Sequence, residues 1–248
     1  MIFLILGLLA SLAILNAIVP LPGFSFIVPL LTTVMTTQAA VTFTTIYFLI
    51  SSTIIVFVFR RYLRKNLVWL LLPASLAGAF IGSFFSASLN EKLLTAVILI
   101  FVTYFLIKKL LTMGRPPAKP AAKSSRRERH TVAFVGLVSG FFQGGGFGGG
   151  SVRNGFLYAK GLSLQEVRAT TAAVGMGNFL AATITRASTG HIVLEQVWVF
   201  LLMIPLLIAA TYIARHITAK LNHAVQDRIV VGLMIVAVGL LAVKLLQG

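Results

Sequence analysis

The chain contains no cysteine, so disulfides, thiol chemistry and thiolate metal sites are excluded from the outset. Acid is almost as scarce, with five Asp and Glu residues among 248, against 21 Lys and Arg. Charged residues of both signs make up only 10% of the chain, where a soluble domain carries about 25%. With 58% hydrophobic residues and a mean hydropathy of +0.98, a water-facing surface cannot be assembled. The composition is that of an all-α polytopic membrane protein. Scarcity of acid also removes most enzyme chemistry. No paired carboxylates, histidine cluster or His-Glu metal spacing occurs, so no catalytic residue, metal or cofactor is expected.

What is abundant is positive charge, a net +16. Such a balance would ordinarily suggest nucleic acid. Here the basic residues lie between long apolar runs, so nucleic acid is not expected. The expected partners of the basic loops are anionic lipid headgroups. Met1–Val19 is apolar but has neither a basic leader region nor a small-residue cleavage site, and reads as mature protein.

A bilayer-crossing helix needs roughly 20 apolar residues. Six stretches fit: Ala39–Phe59, Leu67–Phe85, Leu93–Leu111, Ala169–Thr185, Val197–Ala214 and Ile229–Leu246. The small-residue spacings Gly78/Gly82 and Ala173/Gly177/Ala181 allow close helix contact. Two further apolar stretches are interrupted. Ile2–Met35 is broken by Pro20-Leu21-Pro22-Gly23, and Thr131–Ala159 by Gly144–Gly150, in which every residue but Phe147 is glycine. Such backbone does not hold a regular helix, and in lipid it is tolerated only where protein or a water-filled cavity surrounds it. Residues 113–130 form a basic, proline-containing linker between a first membrane unit (1–112) and a second (131–248).

The halves align on themselves. At an offset of 127, Gly23 pairs with Gly150, Leu30 with Leu157, Gln38 with Gln165 and Thr44 with Thr171. Each half is one broken segment followed by three full spans, and matching interruptions of this kind are the sequence signature of a transporter's substrate site. If the broken segments cross the bilayer, the repeats are parallel; if they re-enter, the repeats are inverted. The inverted arrangement leaves few basic residues on the outer side (Lys92, Arg186 and Lys244) and is favoured by the positive-inside rule. Under either arrangement the basic segments 60–65 and 108–130 share one side, expected to be the cytoplasmic side of a cell membrane. Arg186 and His191 fall in an outer loop on the inverted reading.

The order of these features resembles the sulfite exporter (TauE/SafE) family of membrane permeases. The first half offers Gly23-Phe24-Ser25-Phe26-Ile27-Val28-Pro29-Leu30, Val41-Thr42-Phe43-Thr44, the basic Arg60–Lys65 and Pro73–Ala79. The second offers Gly140-Phe141, Gly144–Gly150, Gly161-Leu162-Ser163, Ala169-Thr170-Thr171 and Asn178. The resemblance implies transport, with export the expected direction, of a small sulfur-containing or organic anion. Pro20–Gly23 and Arg153-Asn154 depart from the family's glycine-rich and apolar habits at those positions.

An anion carrier needs donors. Helix breaks expose backbone N–H groups, and glycine lets an oxyanion approach them closely. The candidate cradle is Gly144, Gly145, Gly146, Gly149 and Gly150 leading into Ser151, Arg153 and Asn154, with Gly23 and Ser25 as its counterpart in the first half. Gln143 and Asn178 add amides, and Arg153 adds a bidentate fork. Thr44, Thr170 and Thr171 begin the helices after each break and either line the site or bond to their own backbone. An anion channel and a non-transporting assembly subunit are the alternatives to a carrier working by alternating access. An exposed small-residue face permits a homodimer.

Overall fold

The computed structural model describes residues 24–112, 125–191, 197–217 and 223–247. Its elements are α1 (Phe24–Leu31), α2 (Thr37–Phe59), a 3-10 turn (Arg60–Tyr62), α3 (Lys65–Ser88), α4 (Glu91–Thr112), α5 (Ser125–Gly144), α6 (Gly150–Ala159), α7 (Leu164–Ser188), α8 (Val197–Ile217) and α9 (His223–Gln247). No strand occurs among the described residues. All six expected spans lie inside helices, α2, α3, α4, α7, α8 and α9. The glycine run interrupts the chain between α5 and α6, as expected. α5 begins at Ser125, inside the segment expected to be linker, because the hydrophilic Ser125–His130 continues the helix beyond its apolar part. Gly23 and Pro20–Pro22 lie outside the described residues.

Among the described residues, four helical stretches are long and apolar enough to cross a membrane: Thr37–Tyr62, Lys65–Ser88, Glu91–Leu111 and Arg228–Gln247. Their outward faces carry exposed large apolar side chains, among them Trp69 (73% exposed), Phe57 and Ile100, as a bilayer-facing surface would. α7 differs. It is rich in Thr, Ala, Gly and Asn, and buries thirteen of its 25 residues against the rest of the bundle. Its polarity is tolerated because protein rather than hydrocarbon surrounds that face.

The tightest packing joins α3 to α5. A Cβ at Gly140 would lie 2.0 Å from the carbonyl oxygen of Ser75, and one at Gly144 2.1 Å from that of Ala79. Gly78 and Gly82 meet Leu137 and Phe141 in the same way. Contacts rise together along both chains, so α3 and α5 run parallel with their backbones touching. The expected role of Gly78/Gly82 in close helix contact is met here, with Gly136, Gly140 and Gly144 as their partners.

The direction of the next helices follows from their contacts. The turn after α5 uses Gly146 (φ 82°) and Gly148 (φ 91°), a left-handed backbone that other residues rarely adopt. α6 then folds back: its Leu157 packs with Val132 near the start of α5 and with Leu71 of α3. α7 starts at this same end, where Arg64 pairs with Glu166 and the Arg64 N–H donates to Thr170 Oγ1 (3.4 Å). The pair α5–α6 is therefore a hairpin that enters and returns at the end of the molecule bearing Arg60–Lys65. α2 and α7 run antiparallel, for Arg186 meets Gln38 and Thr42, Phe48 stacks on Phe179, and Arg168 lies over Phe59.

The start of α7 is fixed by a capping box. Glu166 N–H donates to Ser163 Oγ, and Ser163 N–H donates back to the Glu166 carboxylate (2.9 Å). Those hydrogen bonds, with Arg64 adding to them, hold the Glu166 carboxyl below its ordinary pKa. A depressed pKa contributes stability above the unfolded value that is lost as pH falls through the folded one. Amide protection in the first turn of α7, corrected for intrinsic exchange, should hold from pH 7 to pH 5. It should drop only below the usual glutamate range. Equal protection in Glu166→Gln and wild type at pH 7 would contradict this.

Candidate functional site

Arg153 is the centre of the polar interior. It sits on α6 just past the hairpin turn, fully buried. Its Nη1 and Nη2 both donate to Gln143 Oε1 at 3.1 Å, and Nη2 also donates to the Thr171 carbonyl at 3.1 Å. Gln143, on the last turn of α5, accepts a further bond from Asn178 Nδ2 (2.8 Å), which also donates to Ser75 Oγ (2.7 Å). Thr171 Oγ1 donates to Asn154 Oδ1 (2.6 Å). α7 makes room with Gly175, where a Cβ would lie 3.1 Å from Gln143 Nε2 and 3.6 Å from Arg153 Nη2.

Two properties set this cluster apart from ordinary packing. Its hydrogen bonding is unbalanced, since three N–H groups converge on the single Oε1 of Gln143 while Arg153 Nε and Asn178 Oδ1 have no partner. It is also uncompensated, because no described carboxylate pairs with Arg153. A buried cation is normally paired, as the cost of leaving water is otherwise not offset. A small oxyanion would supply both the missing charge and the missing acceptors.

The other expected residues are placed variously. The N–H groups of Gly145 and Gly146 donate to the Phe141 and Gln143 carbonyls at 2.9 and 3.3 Å, and Ser151 Oγ donates to the Gly148 carbonyl. Gly144 and Gly149 press against the backbones of Ala79 and Ser139, whereas Gly150 has open space beside it. Thr44 bonds back to the Ala40 carbonyl (2.6 Å), and Thr170 lies against Arg64, so neither joins the Arg153 cluster. Ser25 lies in α1, and its side chain is outside the described residues.

One residue is not where the sequence suggested. Arg186 is no outer-loop residue, because α7 continues to Ser188 and carries it into the bundle with no exposed surface. Its Nη1 donates to Gln38 Oε1 (3.3 Å) and Thr42 Oγ1 (3.2 Å), and its Nη2 to Ser86 Oγ (2.7 Å). Thr171, Gly175, Asn178, Ala182 and Arg186 recur at helical spacing on α7, a stripe that extending the helix beyond Thr185 would have revealed. Ser75 and Ser86 of α3 and Gln38 of α2 were likewise not foreseen as polar partners.

An all-helical bundle with membrane-spanning-capable helices, a glycine-turned hairpin and buried cationic side chains defines the class: a polytopic membrane protein built around a polar interior. A family model, sulfite exporter TauE/SafE, matches residues 3–241, nearly the whole chain, and the protein belongs to that family. It is accordingly a multi-pass membrane protein of a transporter family. Comparison with curated proteins and with solved structures gives no match.

Proposed function

We propose that the protein is a permease for a small anion such as sulfite or another sulfur-containing or organic anion, working as an exporter by alternating access. The observation that carries this reading is the buried guanidinium of Arg153, which has no carboxylate partner among the described residues and an Nε with no acceptor. A fork of two N–H groups suits the planar edge of a sulfite or carboxylate. Gln143 and Asn178 bring amides to the same point, and Asn154 and Thr171 flank it.

The moving parts follow from the packing. The N-caps Thr36 and Ser163, 127 positions apart, have nearly the same backbone (φ −66°, ψ 155° and φ −65°, ψ 158°). The helices they begin, α2 and α7, run in opposite directions. Both facts support two inverted halves, with the broken segments re-entering and the halves meeting along α2, α3, α5 and α7. The end bearing Arg60–Lys65 would be cytoplasmic, its basic side chains against anionic headgroups. An inside-negative potential drives a monovalent anion outward with about 2.3 kcal/mol per 100 mV, which fits the lack of a fully buried acid among the described residues.

Proteoliposomes loaded with labelled sulfite test this. A carrier releases label in a saturable manner, and unlabelled external sulfite accelerates the release. Release without acceleration points to a channel instead. Release no faster than from protein-free vesicles contradicts the proposal.

A further inference from the structure

Arg153 is not alone. Arg186 is equally buried, also lacks a carboxylate partner among the described residues, and also has an Nε with no partner. Its three acceptors, Gln38 Oε1, Thr42 Oγ1 and Ser86 Oγ, are all neutral. They are themselves fixed from behind. Gln38 Nε2 donates to the Ser86 and Leu89 carbonyls (2.8 and 3.0 Å), and Thr42 Oγ1 donates to the Gln38 carbonyl (2.9 Å). The carboxylate on this network, Glu91, faces elsewhere and accepts from the backbone N–H groups of Thr37 and Gln38. The guanidinium is thus a buried positive charge surrounded by neutral acceptors.

The two arginines lie toward opposite ends of the seam between α3 and α7. Gly175 beside Arg153 and Arg186 itself are separated by about 16 Å along α7, at ~1.5 Å per residue. Between them the α3–α7 seam carries Ser75 with Asn178, then Ser83, whose Oγ donates to the Ala182 carbonyl (3.4 Å). Arg153 lies toward the Arg60–Lys65 end, where α7 begins; Arg186 lies in the last turn of α7. We infer that Arg186, with Gln38, Thr42 and Ser86, is a second binding site for a small oxyanion, at the far end of the polar seam from Arg153. The pair makes a two-station route: the anion leaves one guanidinium for the other across the Asn178–Ser83 stretch. Neither station then holds it so tightly that it cannot leave. Only this route, and not the second site itself, rests on the permease reading.

Equilibrium dialysis of the purified full-length protein against [35S]sulfite, kept under argon, counts the sites. Wild type is expected to bind two sulfite ions per chain, and Arg186→Gln and Arg153→Gln one each. Arg186→Lys should keep two, with the second about 10-fold weaker, because the charge remains and the fork is lost. Thr42→Val leaves the cation in place and should weaken the second site several-fold, which keeps the test open if Arg186→Gln does not fold. Wild-type stoichiometry in folded Arg186→Gln overturns the inference. So does a single wild-type site that vanishes in Arg153→Gln, an outcome that leaves the permease reading standing. A single site that survives Arg153→Gln and vanishes in Arg186→Gln does the reverse. No binding to wild type removes both.

Discussion

Arg153→Gln is expected to weaken anion binding at the α6 site by about 30- to 4,000-fold, the equivalent of the 2–5 kcal/mol that removing one member of a buried, hydrogen-bonded charge pair costs. Its effect on the anion-free protein should have the opposite character. Arg153 donates to Gln143 and Thr171 but has no carboxylate to answer its charge. Removing a buried charge with no partner relieves a desolvation penalty, whereas removing one member of an ion pair creates one. Thermal unfolding in anion-free buffer should therefore give a Tm equal to or above that of wild type. A purely structural arginine would behave otherwise: its loss would lower Tm and leave anion affinity untouched. Arg153→Lys separates charge from geometry, and should retain part of the affinity while losing the bidentate contact.

Gly140→Ala is expected to be strongly destabilising. The new Cβ would lie 2.0 Å from the Ser75 carbonyl oxygen and 2.7 Å from its carbon, both backbone atoms that no rotamer change can move. α3 and α5 would have to separate, and α5 carries Gln143, so the Arg153 cluster would lose its principal acceptor along with the packing. Overpacking a tight interior typically costs 1–3 kcal/mol and sometimes more; contact with backbone puts this case at the upper end of that range. Detergent-solubilised Gly140→Ala should unfold at clearly lower temperature and be recovered in low yield. Gly155→Ala is the matched control. No atom lies within 4 Å of its added Cβ, and it sits within α6. There the methyl should be neutral or stabilise by up to about 1 kcal/mol through helix propensity. Similar Tm values for the two variants would contradict the packing described for α3 and α5.

The spans were legible because hydropathy reports what lipid requires of a helix, and that requirement acts locally. All six helices begin or end within a few residues of their apolar runs. The break at Gly144–Gly150 was legible for the same reason, since glycine in such density is incompatible with continuous helix. Arg153 was found because it follows that break in the chain. Arg186 was not, because hydropathy ends a span where charge begins, here at Thr185. Its partners Gln38, Thr42 and Ser86 lie 100 or more positions away and are supplied by tertiary packing alone. The glycines illustrate a related limit. Their spacing announced close approach, but only the folded chain tells backbone contact at Gly140 and Gly144 from open space at Gly150.

Sulfite efflux through Arg153→Gln tests the central claim most directly. Wild type and variant are reconstituted at equal folded copy number into vesicles loaded with labelled sulfite, and a potassium gradient with valinomycin sets the interior negative. The account predicts saturable efflux through wild type and, through Arg153→Gln, efflux at the rate of protein-free vesicles. Wild-type efflux through the variant would contradict it.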